Sequence, residues 1–190
     1  MKTHTALRLV VRALFMIACG FAAPSLVYGK ACEISRDQVD GVRIGMSRAE
    51  VLSLLSARYA VADVAPHGAT RRVEARLRQD RSSRPIVIVE FDQDRAFLID
   101  SYERCVTKDG VGPGLTLGDF QRRYGRGNLD PTDLGYFISF ARQPGLTFLI
   151  DNQDVPQSLR GLPDDVMTPA QEGQILNLGK ATIIAVRVER

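Results

Sequence analysis

Few side chains in this 190-residue chain are of types that do covalent chemistry. Its histidines are His4 and His67 and its cysteines are Cys19, Cys32 and Cys105. His4 and Cys19 fall in an N-terminal stretch that reads as an export signal, which leaves His67 as the imidazole of the mature chain. A serine or cysteine nucleophile needs such a ring within hydrogen-bonding reach, held by a third group. His67 stands in Ala65-Pro66-His67-Gly68, which reads as a loop, so no catalytic residue is assigned. The zinc spacings, phosphate-binding glycine loop, nucleophile elbow and dinucleotide fingerprint are all missing, and neither a cofactor nor a metal site is expected. Gly110, Gly112 and Gly114 alternate ahead of a helix and read as turn formers. Carboxylates gather as Asp92 and Asp94, and again with Asn152 as Asp151 and Asp154. An Asp-x-Asp can open a calcium loop, but the glycine and bidentate glutamate of that loop are missing, and hairpin turns use the same residues.

Arginine offers a second kind of chemistry, bidentate contact with carboxylates and phosphates. Arg71, Arg72, Arg76, Arg78, Arg81 and Arg84 crowd one stretch. Strand alternation puts Arg72, Arg76 and Arg78 on one face and Val73, Ala75 and Leu77 on the other. Those three arginines are the candidate binding residues, for an envelope protein or an anionic envelope component. The competing reading is a solvated face balanced by Glu74, Asp80 and Glu90.

The compartment follows from the N-terminus. Lys2, Arg8 and Arg12 precede the apolar run Ala13 to Ala23, with cleavage expected after Gly29 or Ala31. The run is too short to span a bilayer, so no transmembrane segment is expected in the mature chain, which would be periplasmic or secreted. A lipid anchor at Cys19 is disfavoured, since cutting there leaves a short apolar core and puts Met16 at the −3 position. The whole chain has 25 Lys+Arg against 22 Asp+Glu, and the signal holds the surplus, so the remainder carries no basic footprint for nucleic acid. In an oxidising compartment Cys32 and Cys105 are expected to form a disulfide, closing a loop of about 73 residues and stabilising by about 4 kcal/mol.

The elements that must position these residues come as a pair. Asp40 to Val51 reads DGVRIGMSRAEV and returns as DGVGPGLTLGDF from Asp109 to Phe120. Ser47-x-x-Glu50 and Thr116-x-x-Asp119 are both capping boxes, so a helix start is repeated. Val51, Leu52 and Leu55 share one helix face, as do Leu117, Phe120 and Tyr124, with Gly125 ending the second helix. Strands are predicted at Arg72 to Arg78, Ile86 to Phe91 and Ala96 to Val106, then at Tyr136 to Ala141, Leu146 to Ile150 and Ala181 to Val188. Lys30 to Val39 reads as a polar lead-in. The expected fold is α+β, two tandem repeats that are each a capped helix on a three-stranded antiparallel meander. Repeat one spans residues 30–108 and repeat two residues 109–190. The second repeat carries an excursion at 155–180, where Thr168-Pro169-Ala170-Gln171 starts a short helix.

Gly45-Met46-Ser47-Arg48-Ala49-Glu50-Val51 resembles the helix start of the SmpA/OmlA (BamE-like) envelope lipoproteins, and the tandem unit is similar to the β-lactamase-inhibitor-protein-like fold. The resemblance implies helices packed on one side of an antiparallel sheet, an envelope location and work through protein contacts. A non-enzymatic periplasmic binding protein is therefore the expected function. The alternatives are a periplasmic enzyme of unknown class and an inhibitor of a secreted enzyme.

Overall fold

In a computed structural model of the protein the described residues are 32–64, 70–79, 84–102, 105–132, 134–162 and 164–189. The stretch expected to be an export signal, Cys19, His67, Asp80 and Arg81 lie outside them. The chain opens with β1 (Cys32–Ser35), β2 (Gln38–Val39) and β3 (Val42–Arg43), followed by α1 (Arg48–Ser56). Four strands follow: β4 (Ala60–Val64), β5 (Arg71–Arg76), β6 (Val87–Asp92) and β7 (Arg95–Tyr102). After β8 (Cys105–Thr107) come α2 (Leu117–Tyr124), β9 (Asn128–Thr132), β10 (Gly135–Ser139) and β11 (Leu146–Ile150). Two 3-10 turns, α3 (Pro169–Leu176) and β12 (Ile183–Glu189) complete it.

Each helix starts where a hydroxyl and a carboxylate or amide satisfy the first free N–H groups. Glu50 N donates to Ser47 Oγ at 3.4 Å and Ser47 N to the Glu50 carboxylate at 2.8 Å. The same exchange runs between Thr116 and Asp119 at 3.2 and 2.9 Å, and between Thr168 and Gln171 at 3.3 and 2.8 Å. Ahead of α1, Gly45 N donates to Ala96 O at 2.7 Å and Ala96 N to Met46 O at 2.9 Å. Ahead of α2, Gly114 N donates to Ile183 O at 2.7 Å and Ile183 N to Leu115 O at 2.9 Å. Both glycines hold positive φ, +88° and +95°, which other residues reach only with strain. The segment before each helix is thereby sewn to the start of the fourth strand after it.

Eight strands form one antiparallel sheet in the order β4-β5-β6-β7-β12-β11-β10-β9, so β7 and β12 meet at its middle. On the inner face Ile138, Phe148, Val186, Ser101, Val87 and Ala75 follow one another across six strands. They are buried with Val51 and Leu55 of α1, Leu117, Phe120 and Tyr124 of α2, and Ile175 and Leu176 of α3. Burying each large apolar side chain contributes about 1.5–3 kcal/mol. A second sheet, β3-β2-β1-β8, holds Cys32 and Cys105 as direct partners with Cα atoms 4.3 Å apart and their sulfurs bonded. Among the described residues no helix is long and apolar enough to cross a membrane.

The α+β class agrees with the sequence, but the strand inventory needs correcting. Four strands of the large sheet follow each of α1 and α2, not three. The unforeseen ones, β4 and β9, are the two edges, which pair on one side only and so need a weaker β pattern. Pro131 disguised β9, although an edge strand tolerates proline. Ala96 to Val106 is not one strand, since β7 belongs to the large sheet and β8 to the small one. The lead-in contributes β1 and β2, and β1 runs parallel to β8, so the large sheet is wholly antiparallel and the small one mixed.

Candidate functional site

Strand alternation gives the large sheet a second face, opposite the helices. Along it Ser139, Thr147, Arg187, Asp100, Ile88 and Glu74 form a row across six strands. Beside it a second row runs Phe137, Leu149, Ala185 and Tyr102. Phe137, Leu149 and Ala185 are 2%, 6% and 1% exposed, and Tyr102 and Ile184 pack against them. This cluster is separate from the core beneath the helices.

The centre of the face is the seam between β7 and β12. Arg187 Nε and Nη2 donate to the two oxygens of Asp100 at 2.8 and 2.9 Å, and the guanidinium lies 4.3 Å from the Phe137 ring centroid. Burial lowers the Arg187 pKa, but the hydrogen bonds and charge of Asp100 outweigh it and raise the group above its ordinary value. Burial, then the Asp100 charge, pushes the Tyr102 phenol above its usual value. Arg84 lies over the Tyr102 ring at 5.8 Å. Thr147 Oγ1, next to Arg187 in the row, is buried and makes no hydrogen bond. Further along, Glu74 is 6% exposed and bridges Arg72, at 3.0 Å, and Arg76. Aromatic rings and paired charges thus lie side by side on this face.

Of the arginines singled out in the sequence, Arg72 and Arg76 share this face. Arg78 does not: it lies beyond β5 and donates to the Ser56 carbonyl, which α1 leaves without a helical partner at its C-terminal end. Nor is Glu74 solvated, since two guanidiniums enclose it. Gln93 and Asp94 take φ of +45° and +66° in the β6–β7 turn, while Asp151 and Asp154 accept from the backbone of Gln153 and Thr182 at 2.9 and 2.7 Å. These carboxylates serve turns, and among the described residues no group of three His, Cys, Asp or Glu is placed to hold a metal. The sequence reading missed Asp100, Arg187, Phe137, Leu149 and Tyr102. Their alternation was visible, but the pairing of Asp100 with Arg187 depends on β7 lying beside β12.

The chain matches no protein-family description and no curated protein. Its fold is similar to the crystal structure of the uncharacterized protein yfeY from Escherichia coli, with a TM-score of 0.56 and 11% sequence identity over 83% of this chain and 99% of that one. At such identity the likeness is one of fold.

Proposed function

We propose that the protein is an exported, non-enzymatic binding module that meets an envelope protein through the outer face of its eight-stranded sheet. The observation carrying this reading is the partly exposed Tyr102 and Ile184, with Arg84 over the Tyr102 ring, set on the buried Phe137, Leu149 and Ala185 on the face away from all three helices and beside the Asp100–Arg187 pair. Interfaces concentrate aromatic residues and arginine around such a centre, with paired charges nearby. Glu74 and Asp100 offset arginines on this face, which suits a protein of mixed charge better than a uniformly anionic envelope component. The bonds from Gly45 and Gly114 to the fourth strand after each helix support a second part of the reading, that the chain is a duplicated helix-and-sheet unit.

The test is capture from envelope extract with the mature chain as bait, beside Arg84→Glu/Tyr102→Ser on the outer face and Arg78→Glu at the end of α1. The outer-face variant should lose a captured protein that wild type and Arg78→Glu both retain. Identical capture by all three folded baits would remove the outer face as the contact.

A further inference from the structure

We infer that the protein has a second binding site, for a small amphiphilic carboxylate, in a cleft between the disulfide-linked strands β1 and β8 and the β10–β11 turn. The cleft has a volume of about 340 Å³. That lies at the lower end of the range for small-ligand sites, and at ~30 Å³ per non-hydrogen atom it holds roughly ten of them.

Its walls come from known pairings. Ile34 and Thr107 are direct partners two residues along from Cys32 and Cys105, so the disulfide holds β1 against β8 at the base of the cleft. The third wall is the turn carrying Gln143 and Leu146. Gly145 in that turn has φ of +81°, and a Cβ there would meet Arg36 Cγ and Arg36 O at 3.1 Å each, so glycine lets the turn close against Arg36.

The lining divides by chemistry. Ile34 and Leu146 are 1% and 2% exposed and form an apolar floor. Arg36 and Lys108 stand exposed at the rim, and neither shares an ion pair with a carboxylate among the described residues. Glu33, also exposed, is the lining carboxylate, so the rim carries one positive charge in excess. An apolar floor under a rim with a single net cationic charge complements a short hydrocarbon body ending in one carboxylate. That chemistry is shared by a free medium-chain fatty acid and by the C-terminal apolar residue of a peptide.

Calorimetric titration of the oxidised mature chain with octanoate and with N-acetyl-leucine tests the site. At least one should bind with one-to-one stoichiometry, and the tighter one identifies the source of the natural ligand. Octan-1-ol, which lacks the charge, should bind at least tenfold more weakly than octanoate. Charge reversal by Arg36→Glu/Lys108→Glu should weaken the carboxylate at least tenfold, while Lys180→Glu, outside the cleft, should leave affinity unchanged. Methyl resonances of Ile34 and Leu146 should shift on binding. The inference is overturned if neither carboxylate binds at millimolar concentration, if octan-1-ol binds as tightly, or if the rim reversal has no greater effect than Lys180→Glu.

Discussion

The strands β4 to β7 and the strands β9 to β12 each follow a capped helix, yet the two halves of the sheet fill the space under that helix differently. In the half that follows α1 the core is mainly aliphatic, with Val51 and Leu55 buried along with Val73, Ala75, Val87 and Val89 and a single strand ring, Phe91. Beneath α2 it is aromatic: the Phe120 ring lies 4.6 Å from Phe148 and 6.0 Å from Phe140, and Tyr124 lies 5.8 Å from Phe140. The ends of the helices differ too. Asp40, held at φ +53°, accepts from Arg58 Nη1 and Tyr59 Oη at 2.6 Å each, whereas among the described residues Asp109 accepts from the Tyr124 hydroxyl, at 3.4 Å. A cap and its backbone bonds define the frame, and the core within it is free to vary provided the volume is filled.

Core truncation should separate the halves most. Phe120→Ala is expected to cost about 4 kcal/mol and Leu55→Ala about 3 kcal/mol, since the ring leaves the larger cavity. Urea denaturation measures both, and a larger loss at Leu55 would break the contrast between an aromatic and an aliphatic half. At the seam joining them, Asp100→Asn should cost about 2–3 kcal/mol by leaving Arg187 half-buried without its counter-charge. Asp100→Leu/Arg187→Met should recover most of that loss, and failure to do so would show the pair to be needed for sheet alignment.

A smaller difference is expected at the helix ends. Asp40→Asn should cost about 1–2 kcal/mol through the weakened Arg58 clamp, against about 0.5 kcal/mol or less for Asp109→Asn. Equal effects would show the clamp to be unimportant. Smallest should be the caps, where the halves are alike: Ser47→Ala and Thr116→Ala should each cost about 1 kcal/mol. Hydrogen bonds from Ser47 and Thr116 hold the Glu50 and Asp119 carboxylates below their ordinary values of 4.5 and 3.8. A lowered folded-state pKa adds stability above the ordinary value and loses it as pH falls through the folded one. Glu50→Gln/Asp119→Asn should therefore flatten the acid limb of the stability curve below about pH 4.5.

The helices were legible because their signals are local: a hydroxyl and its N3 partner lie in one turn, and all three capping boxes occur where the sequence puts them. Three strands were legible for the same reason: β5 by its alternation, β6 as a β-branched run and β11 as a short apolar run after the Pro144-Gly145 turn. The edges β4 and β9 were not, since an edge strand carries little of that pattern. The smaller part of the candidate site could be read as well. Arg72 and Arg76 share a face because strand side chains alternate, while Arg78 departs from it because the strand ends at Arg76.

By itself the sequence determined the repeated caps, the turns with their glycines and the pairing expected of Cys32 with Cys105, all of which follow from the chemistry of neighbouring residues or from a simple count. Only the tertiary structure decided that β7 lies against β12. That contact brings together Asp100 and Arg187, 87 residues apart in the chain, and sets Phe137, Leu149 and Tyr102 in one row. Strand order across a sheet is governed by the packing of all eight strands and three helices at once, and no single stretch of sequence encodes it.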